Sequence, residues 1–422
     1  MRKAETLVVG AGQAGLAMSR CLTEHGADHV VLERGRVAER WRTARWDSLR
    51  LITPNWMSRL PGWSYPGADP DGYMAPPELV SYLEGYAGSF ATPLHEGTTV
   101  ERVEAAGGGL RVLTDQQTWL ARNVVVAAGT EDLAYVPSVA SGVGPGIYQL
   151  PASRYRGPGQ LPDGGVLVVG ASASGAQIAD ELRRCGRTVV ISVGRHSRLP
   201  RRYRGRDILW WMDHAGILDQ TIDEMRDARS ARSAPSLQLS GRGRRVDLQA
   251  LTAGGVTLAG RLAGASGRWL TFADDLPATT SAAQARLERL LRSIDAHIAR
   301  SGSDERTSPA DHGTAFAPSA APTRLDLRRA GITTVIWATG YRPAYPWLPA
   351  TALDHRGEIR HHRGVTDIPG LYVLGLKFLH RRNSSFVDGV GHDARFVAAH
   401  LTRRMTSLAL AAGIRDSCDL SA

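Results

Sequence analysis

The feature that most constrains this 422-residue chain is a strand–glycine loop–helix–strand unit that occurs twice. In the first copy Leu7-Val8-Val9 enters Gly10-Ala11-Gly12-Gln13-Ala14-Gly15. A helical stretch then puts Ala14, Met18, Cys21 and Leu22 on one face, Gly26 stops it, and Val30-Val31-Leu32 ends at Glu33. In the second copy Val166 to Val169 enters Gly170-Ala171-Ser172-Ala173-Ser174-Gly175. Its helix carries Ile178, Ala179, Leu182 and Cys185 inward, Gly186 stops it, and Val189-Val190-Ile191 leads to Arg195. An apolar strand that breaks at a glycine and restarts as an amphipathic helix marks a parallel βαβ unit. Two such units predict an α/β chain with two dinucleotide-binding domains of one plan.

The glycines permit a tight turn and let backbone approach a pyrophosphate, which rests against the helix N-terminus. Gly10, Gly12, Gln13, Ala14 and Gly15 are therefore the expected cradle of the first dinucleotide, and Glu33 the acceptor for its ribose hydroxyls. A carboxylate there repels a 2′-phosphate, so the first site suits FAD or NAD. In the second loop Ser172 stands where the second glycine usually lies, and its hydroxymethyl group is small enough to leave the backbone reachable. Gly170, Ser172, Ala173, Ser174 and Gly175 form the second cradle. At the position taken to match Glu33 stands Arg195, with Arg201 and Arg202 close behind, and an arginine there pairs with the 2′-phosphate of NADPH. FAD beside NADPH implies hydride transfer from nicotinamide to flavin.

Composition narrows the alternatives. With 43% apolar and 22% charged residues the chain reads as a soluble globular protein, and its length suggests two to three domains. No run of eighteen apolar residues is present, so no membrane span is expected. The segment from Met1-Arg2-Lys3 into Thr6-Leu7-Val8-Val9 reads as the first strand rather than a signal peptide, because it leads directly into the glycine loop. Three cysteines, Cys21, Cys185 and Cys418, are too scattered for a disulfide framework, a metal site or a redox-active pair, which points to a cytoplasmic setting. The formal charge of +10 favours anionic partners, with Arg195, Arg198, Arg201, Arg202, Arg204 and Arg206 the densest stretch. No nucleic-acid-binding motif accompanies it. His355, His361, His362, His380 and His392 lack metal-site spacing, so no metal is expected.

Val124-Val125-Val126 running into Ala127-Ala128-Gly129, and Thr334 to Trp337 running into Ala338-Thr339-Gly340, read as buried strands ending at glycine turns. Residues 283–300 form an amphipathic helix, 301–323 a crossing loop, and 225–245 an exposed Arg- and Ser-rich stretch. Leu371 to Gly375 reads as a last strand and Val387 to Leu401 as a closing helix. The layout is an FAD-binding domain over 1–155 and 324–422, with an NADPH-binding domain over 156–323 inserted in it.

Gly10–Gly15, Gly170–Gly175, the Arg195 strand end and Trp337-Ala338-Thr339-Gly340-Tyr341 together resemble the class B flavin-dependent monooxygenases. The resemblance spans roughly residues 5 to 400 and implies two Rossmann-like domains joined by the Ala338–Tyr341 linker. It implies that Arg40-Trp41 and Thr53-Pro54-Asn55 lie along the isoalloxazine ring. Gly375, Ser384, Ser385 and Asp388 would close the flavin site, and Arg34, Val100, Ala128 and Gly129 would add contacts. It further implies oxygenation of a small nucleophilic N, S or C centre by O2 through a flavin C4a-(hydro)peroxide, shielded by bound NADP+. Asn55 and Asp388 are the implied polar groups beside that adduct; a turn-ordering asparagine and a helix-capping aspartate are the alternatives.

One departure stands out. The group's Phe-x-Gly-x-x-x-His-x-x-x-Tyr stretch corresponds here to Gly146 through Tyr155, with Pro151 at the histidine position. The tyrosine points away from the Baeyer–Villiger branch. The missing histidine keeps open an NADPH-dependent flavin reductase that passes electrons to an external acceptor or to O2. A flavin-binding redox sensor without turnover is a further alternative.

Overall fold

The computed structural model describes residues 1–241, 245–302, 308–309, 316–318 and 320–419. Two mainly parallel sheets organise it. In the first, the central strand Arg2–Val9 lies between His29–Leu32 and Thr118–Val126, with Leu94–His95 beyond one side. Leu371–Val373 joins Thr118–Val126 in parallel, and Gly109–Thr114 and Val100–Ala106 extend that side as an antiparallel ribbon. The second sheet is wholly parallel, in the order Tyr148–Pro151, Ile332–Trp337, Gly165–Val169, Val189–Ser192, Thr257–Ala259.

The central strands carry Leu7 and Val8, and Val166, Leu167 and Val168, all at zero exposure. A strand apolar on both faces needs helices on both sides of the sheet. Helix Gln13–Glu24 follows the first loop and packs with the closing helix Val390–Asp419. Helix Ala173–Arg184 follows the second loop and packs with Leu248–Ala253. The helix expected over 283–300 runs from Leu276 to Ser301; of the anticipated stripe it buries Leu287, Leu291, Ile294 and Ile298 and leaves Leu290 half-buried.

The domain limits need correction. Sequence spacing puts Tyr148–Pro151 and Ile332–Trp337 in the first domain, yet both belong to the second sheet. The cause is non-local pairing: Ile332–Trp337 is in register with Gly165–Val169 on one side and Tyr148–Pro151 on the other. It therefore occupies the place that Thr118–Val126 holds in the first sheet. The chain crosses between domains at Leu133–Ala134 and returns at Tyr341–Arg342, and these two segments pair as a short antiparallel ribbon. The stretch 225–245 also departs from expectation, since Gln238, Leu239 and Ser240 are buried. Much of the loop expected over 301–323 lies outside the described residues. Among the described residues no helix is long and apolar enough to cross a membrane.

Candidate active site

Both glycine loops have the geometry their sequence requires. Gly10 and Gly170 each take φ +108°, a region open to glycine. A Cβ on Gly10 would stand 2.6 Å from the Ala127 carbonyl oxygen, and one on Gly170 2.4 Å from that of Ala338. Gly15 and Gly175 bring helix against strand so closely that a Cβ would lie 1.8 Å from the oxygen of Gly10 or Gly170 respectively. A Cβ on Gly12 would meet nothing within 4 Å, so its backbone faces the open space that a pyrophosphate needs. Ser172 takes φ −81°, ψ −167°, almost the values of Gly12 at φ −84°, ψ −173°. The serine therefore replaces the glycine without backbone strain. The two loops, with Ala14, Ala173 and Ser174 opening their helices, fit two dinucleotide pyrophosphates.

The strand ends differ. Glu33 accepts hydrogen bonds from the Ala11 N–H at 2.7 Å and the Gly35 N–H at 2.9 Å, holding the first loop while staying half-buried. The registers pair Val9 with Leu32 and Val169 with Ser192. Val193, buried and apolar, is thus the counterpart of Glu33, and Arg195 stands two residues further on, where the first unit has Gly35. This corrects the expected match of Arg195 to Glu33; the strand simply ends earlier than sequence spacing suggests. Arg195 is exposed. Arg201 is not: it pairs with Asp207 at 2.5 Å, donates to the Ile52 carbonyl at 2.8 Å and lies over the Tyr73 ring. It ties the two domains together instead of facing a nucleotide.

Several first-domain candidates are similarly engaged. Arg34 and Arg40 both pair with Asp132, and Trp41 lies under the Arg45 guanidinium. Asn55 closes the 55–74 loop: its amide donates to the Asp69 carbonyl and accepts from the Met74 N–H, both at 2.9 Å. Thr53, half-buried, immediately precedes that loop. Val100 begins an outer antiparallel strand and packs on the outer core cluster with Ala128. Gly129 at φ +76° gives its carbonyl to the Tyr345 hydroxyl at 2.9 Å. The linker closes as Thr339 donates to the Tyr135 carbonyl and the Tyr135 N–H to that of Gly340. Tyr341 lies near Arg40, Arg45 and Glu131.

The closing segment does reach the first loop. Gly375, at φ +77°, lies against Ala14, where a Cβ would come within 2.8 Å of that side chain. Gln13 Nε2 reaches the Ser385 carbonyl at 3.5 Å. Ser384, expected to touch the cofactor, is fully buried; its hydroxyl accepts from the N–H groups of His380 and Arg381 and bonds the Asp393 carboxyl. Asp388 pairs with Arg59, and burial raises its carboxyl above the ordinary range. It lines a polar cavity of about 320 Å³ with Arg59, Asp213 and His392. Trp63 packs on Tyr82 and Tyr86, and Trp211 donates to the Tyr203 carbonyl, so these aromatics serve packing.

A family described as pyridine nucleotide-disulphide oxidoreductase matches residues 7–206. The CzcO-like oxidoreductase of Geobacillus kaustophilus is 33% identical over 396 residues, covering 93% of this chain and 97% of that one. This chain belongs to the CzcO-like oxidoreductase family. The rice indole-3-pyruvate monooxygenase YUCCA1 (Oryza sativa) is 34% identical over 189 residues, 43% of this chain and 45% of the relative. A solved flavin-containing monooxygenase from Stenotrophomonas maltophilia shares the fold at TM-score 0.67 and 23% identity, covering 96% of this chain and all of that one. The family match and these relatives mark the chain as a flavoprotein oxidoreductase similar to the flavin monooxygenases.

In this CzcO-like chain the residues that sequence reasoning misses lie between the two loops. Gln238 donates through Nε2 to the Ala171 carbonyl in the second loop. Three residues on, Gly241 abuts the Leu51 carbonyl, where a Cβ would come within 2.0 Å. The segment 238–241 thus spans from one dinucleotide unit to the approach of the other. No signal in its Arg- and Ser-rich surroundings marks it.

Proposed function

We propose that this chain is an FAD-containing, NADPH-dependent monooxygenase acting on a small organic nucleophile at nitrogen, sulfur or carbon. The balanced reaction is substrate + O2 + NADPH + H+ → oxygenated substrate + NADP+ + H2O. The observation that carries this reading is the pair of equivalent loops, with no redox-active thiol pair beside them among the described residues. Cys21 is fully buried in a helix and burial pushes its thiol up to about 12, which removes the thiolate that disulfide exchange needs. Cys185 caps the far end of the second helix, away from its loop. Among the described residues no cysteine pair stands ready to take the electrons, which favours O2 as the acceptor.

When bound, FAD and NADPH supply the hydride transfer and the oxygen activation. The chain's own residues bind, orient and exclude water. Gly12 and Ser172 present backbone to the two pyrophosphates, and Glu33 fixes the first loop and accepts ribose hydroxyls. Arg195 offers its exposed guanidinium to a 2′-phosphate. Arg201 and Tyr73, which donates to Asp207 at 3.0 Å, hold the domain junction closed against solvent.

A second reading rests on Pro151. It sits on the outer strand of the second sheet, paired with Trp337, where the resemblance calls for a histidine. Tyr155, four residues on, is buried and donates to Glu181 at 2.9 Å, so this segment is built for packing. An NADPH-dependent flavin reductase that releases peroxide is the function left by that loss. Three measurements on the yellow holoprotein separate the readings: anaerobic flavin bleaching by NADPH, peroxide released per NADPH, and 18O from 18O2 in the products of an amine and thioether panel. Label in product supports the monooxygenase. Peroxide equal to NADPH with every compound leaves the reductase. A flavin that NADPH does not bleach sinks both in favour of a sensor.

A further inference from the structure

Gln238 is 1% exposed, and while its Nε2 is bonded to the Ala171 carbonyl, no donor among the described residues reaches its Oε1. A buried amide oxygen without a donor is uncommon, because its desolvation is then uncompensated. Its position suggests what supplies the donor. Leu237–Gln238 pairs in parallel with Ser197–Arg198, placing Gln238 beside Arg198, three residues past Arg195. That is the side of the second loop next to its neighbouring strand, Val189–Ser192. In the first unit Glu33 accepts the N–H of Ala11, whereas Gln238 donates to the carbonyl of Ala171. Ala11 and Ala171 are equivalent loop residues, each following the first glycine. Each loop is therefore held at the equivalent residue, through its N–H in the first unit and its carbonyl in the second, by a side chain with acceptor capacity to spare. One is a carboxylate from the strand end; the other is a neutral carboxamide from an inserted strand, with the strand-end position given to Val193.

We propose that Gln238 is the ribose acceptor of the second unit: its Oε1 takes a hydrogen bond from the adenosine 3′-hydroxyl of NADPH, and its neutrality admits the 2′-phosphate that a carboxylate would repel. The inference rests on the NADPH reading above and specifies how the site tells NADPH from NADH. Arg195 supplies attraction to the phosphate; Gln238 supplies the absence of repulsion while keeping the ribose contact.

The test uses the FAD-loaded holoprotein and two fragments, 2′,5′-ADP and 5′-AMP, with dissociation constants measured by calorimetry. Gln238→Glu is expected to weaken 2′,5′-ADP by about tenfold or more and 5′-AMP by less than about threefold, collapsing the preference between them. Gln238→Met, which removes the acceptor together with the Nε2 bond to the Ala171 carbonyl and adds no charge, is expected to weaken both by about fivefold and leave their ratio intact. An unchanged ratio in Gln238→Glu overturns the proposal. Unchanged affinities in Gln238→Met overturn it also, and this arm decides the matter where the glutamate variant fails to fold. A wild-type protein that does not favour 2′,5′-ADP over 5′-AMP defeats the NADPH reading itself, an outcome distinct from either variant result.

Discussion

The two dinucleotide units differ where they should be most alike if they bound the same molecule. Their loops share one geometry: the same φ of +108° at the first glycine, the same 1.8 Å approach at the third, and the same extended backbone at Gly12 and Ser172. Their strand ends do not. The first ends in a carboxylate that holds two backbone N–H groups; the second ends in buried Val193, with a base two residues on and a neutral amide brought in from elsewhere. On the proposed reading, the loop fixes that a dinucleotide binds and the surroundings of the neighbouring strand fix which one. The surroundings of the helices diverge too. The first helix is covered by Val390–Asp419 and the Gly375 turn, whereas the second is covered by the short helix Leu248–Ala253.

The largest expected effects come from the third glycines. In Gly15→Ala the new methyl would press on the Gly10 oxygen, forcing helix from strand, and such overpacking costs about 1–3 kcal/mol or more. The expected product is a colourless protein, read from the ratio of flavin to protein absorbance. Gly175→Ala meets the same clash in the other unit. It should remain yellow and lose NADPH-driven bleaching by about a hundredfold, roughly 3 kcal/mol of binding. Loss of flavin from Gly175→Ala would break the assignment of one cofactor to each unit.

Next in size is Glu33→Gln. The carboxylate makes two charge-assisted bonds to backbone, each worth about 1.5–3 kcal/mol, and the amide can keep only one acceptor in place. FAD affinity, followed by flavin fluorescence on dilution, should fall about tenfold or more while NADP+ affinity stays unchanged. Equal losses for both would show that the two strand ends do not act independently.

A smaller effect tests the closing helix, which covers only the first unit's helix. Asp393 is 2% exposed in its first turn, bonded to Ser384, and burial raises its carboxyl to about 6. An acid whose pKa is higher folded than unfolded lends stability that is full below its unfolded value, near 3.9, and lost as pH rises through about 6. Asp393→Asn should therefore gain stability relative to wild type across that window, up to on the order of 5 °C in Tm by pH 7. His361, held down to about 4 by its own burial, works in the opposite sense over the same range, so the difference between the two curves is the quantity to follow. A constant difference from pH 4 to 7 would mean that Asp393 is not the titrating group.

What is legible in the sequence is local. Each loop, its helix and its flanking strand announce themselves through contiguous periodicity and glycine spacing and are found in place, except that Cys185, expected inward, is exposed at the end of its helix and the second strand stops at Ser192. What is not legible depends on partners far along the chain. Ile332–Trp337 reads as part of the wrong domain because its pairing with Gly165–Val169 is set by burial in a sheet. Arg195 reads as the match to Glu33 because nothing local says that the second strand stops at Ser192. Arg201 resembles a phosphate ligand until Asp207 and Ile52 claim it, and Asn55 and Ser384 turn inward to backbone that no spacing rule brings near. Gln238 is hidden for the opposite reason: its polar, Arg-rich surroundings read as exposed, yet the fold buries it against the second loop.

The smallest expected effect bears most directly on the comparison. If the loops are interchangeable and only their surroundings discriminate, Ser172→Gly should change little. The serine hydroxyl makes no capping bond, and its backbone lies in the extended region open to any residue, so glycine gains no conformation that serine lacks. The substitution loosens the unfolded chain, which costs about 0.5–1 kcal/mol of stability. NADP+ affinity should stay within about threefold of wild type, well under 1 kcal/mol. A tenfold tightening would mean instead that the hydroxymethyl group stands in the path of the pyrophosphate. Discrimination would then begin in the loop itself, and Val193, Arg195 and Gln238 would be left with only part of the difference to explain.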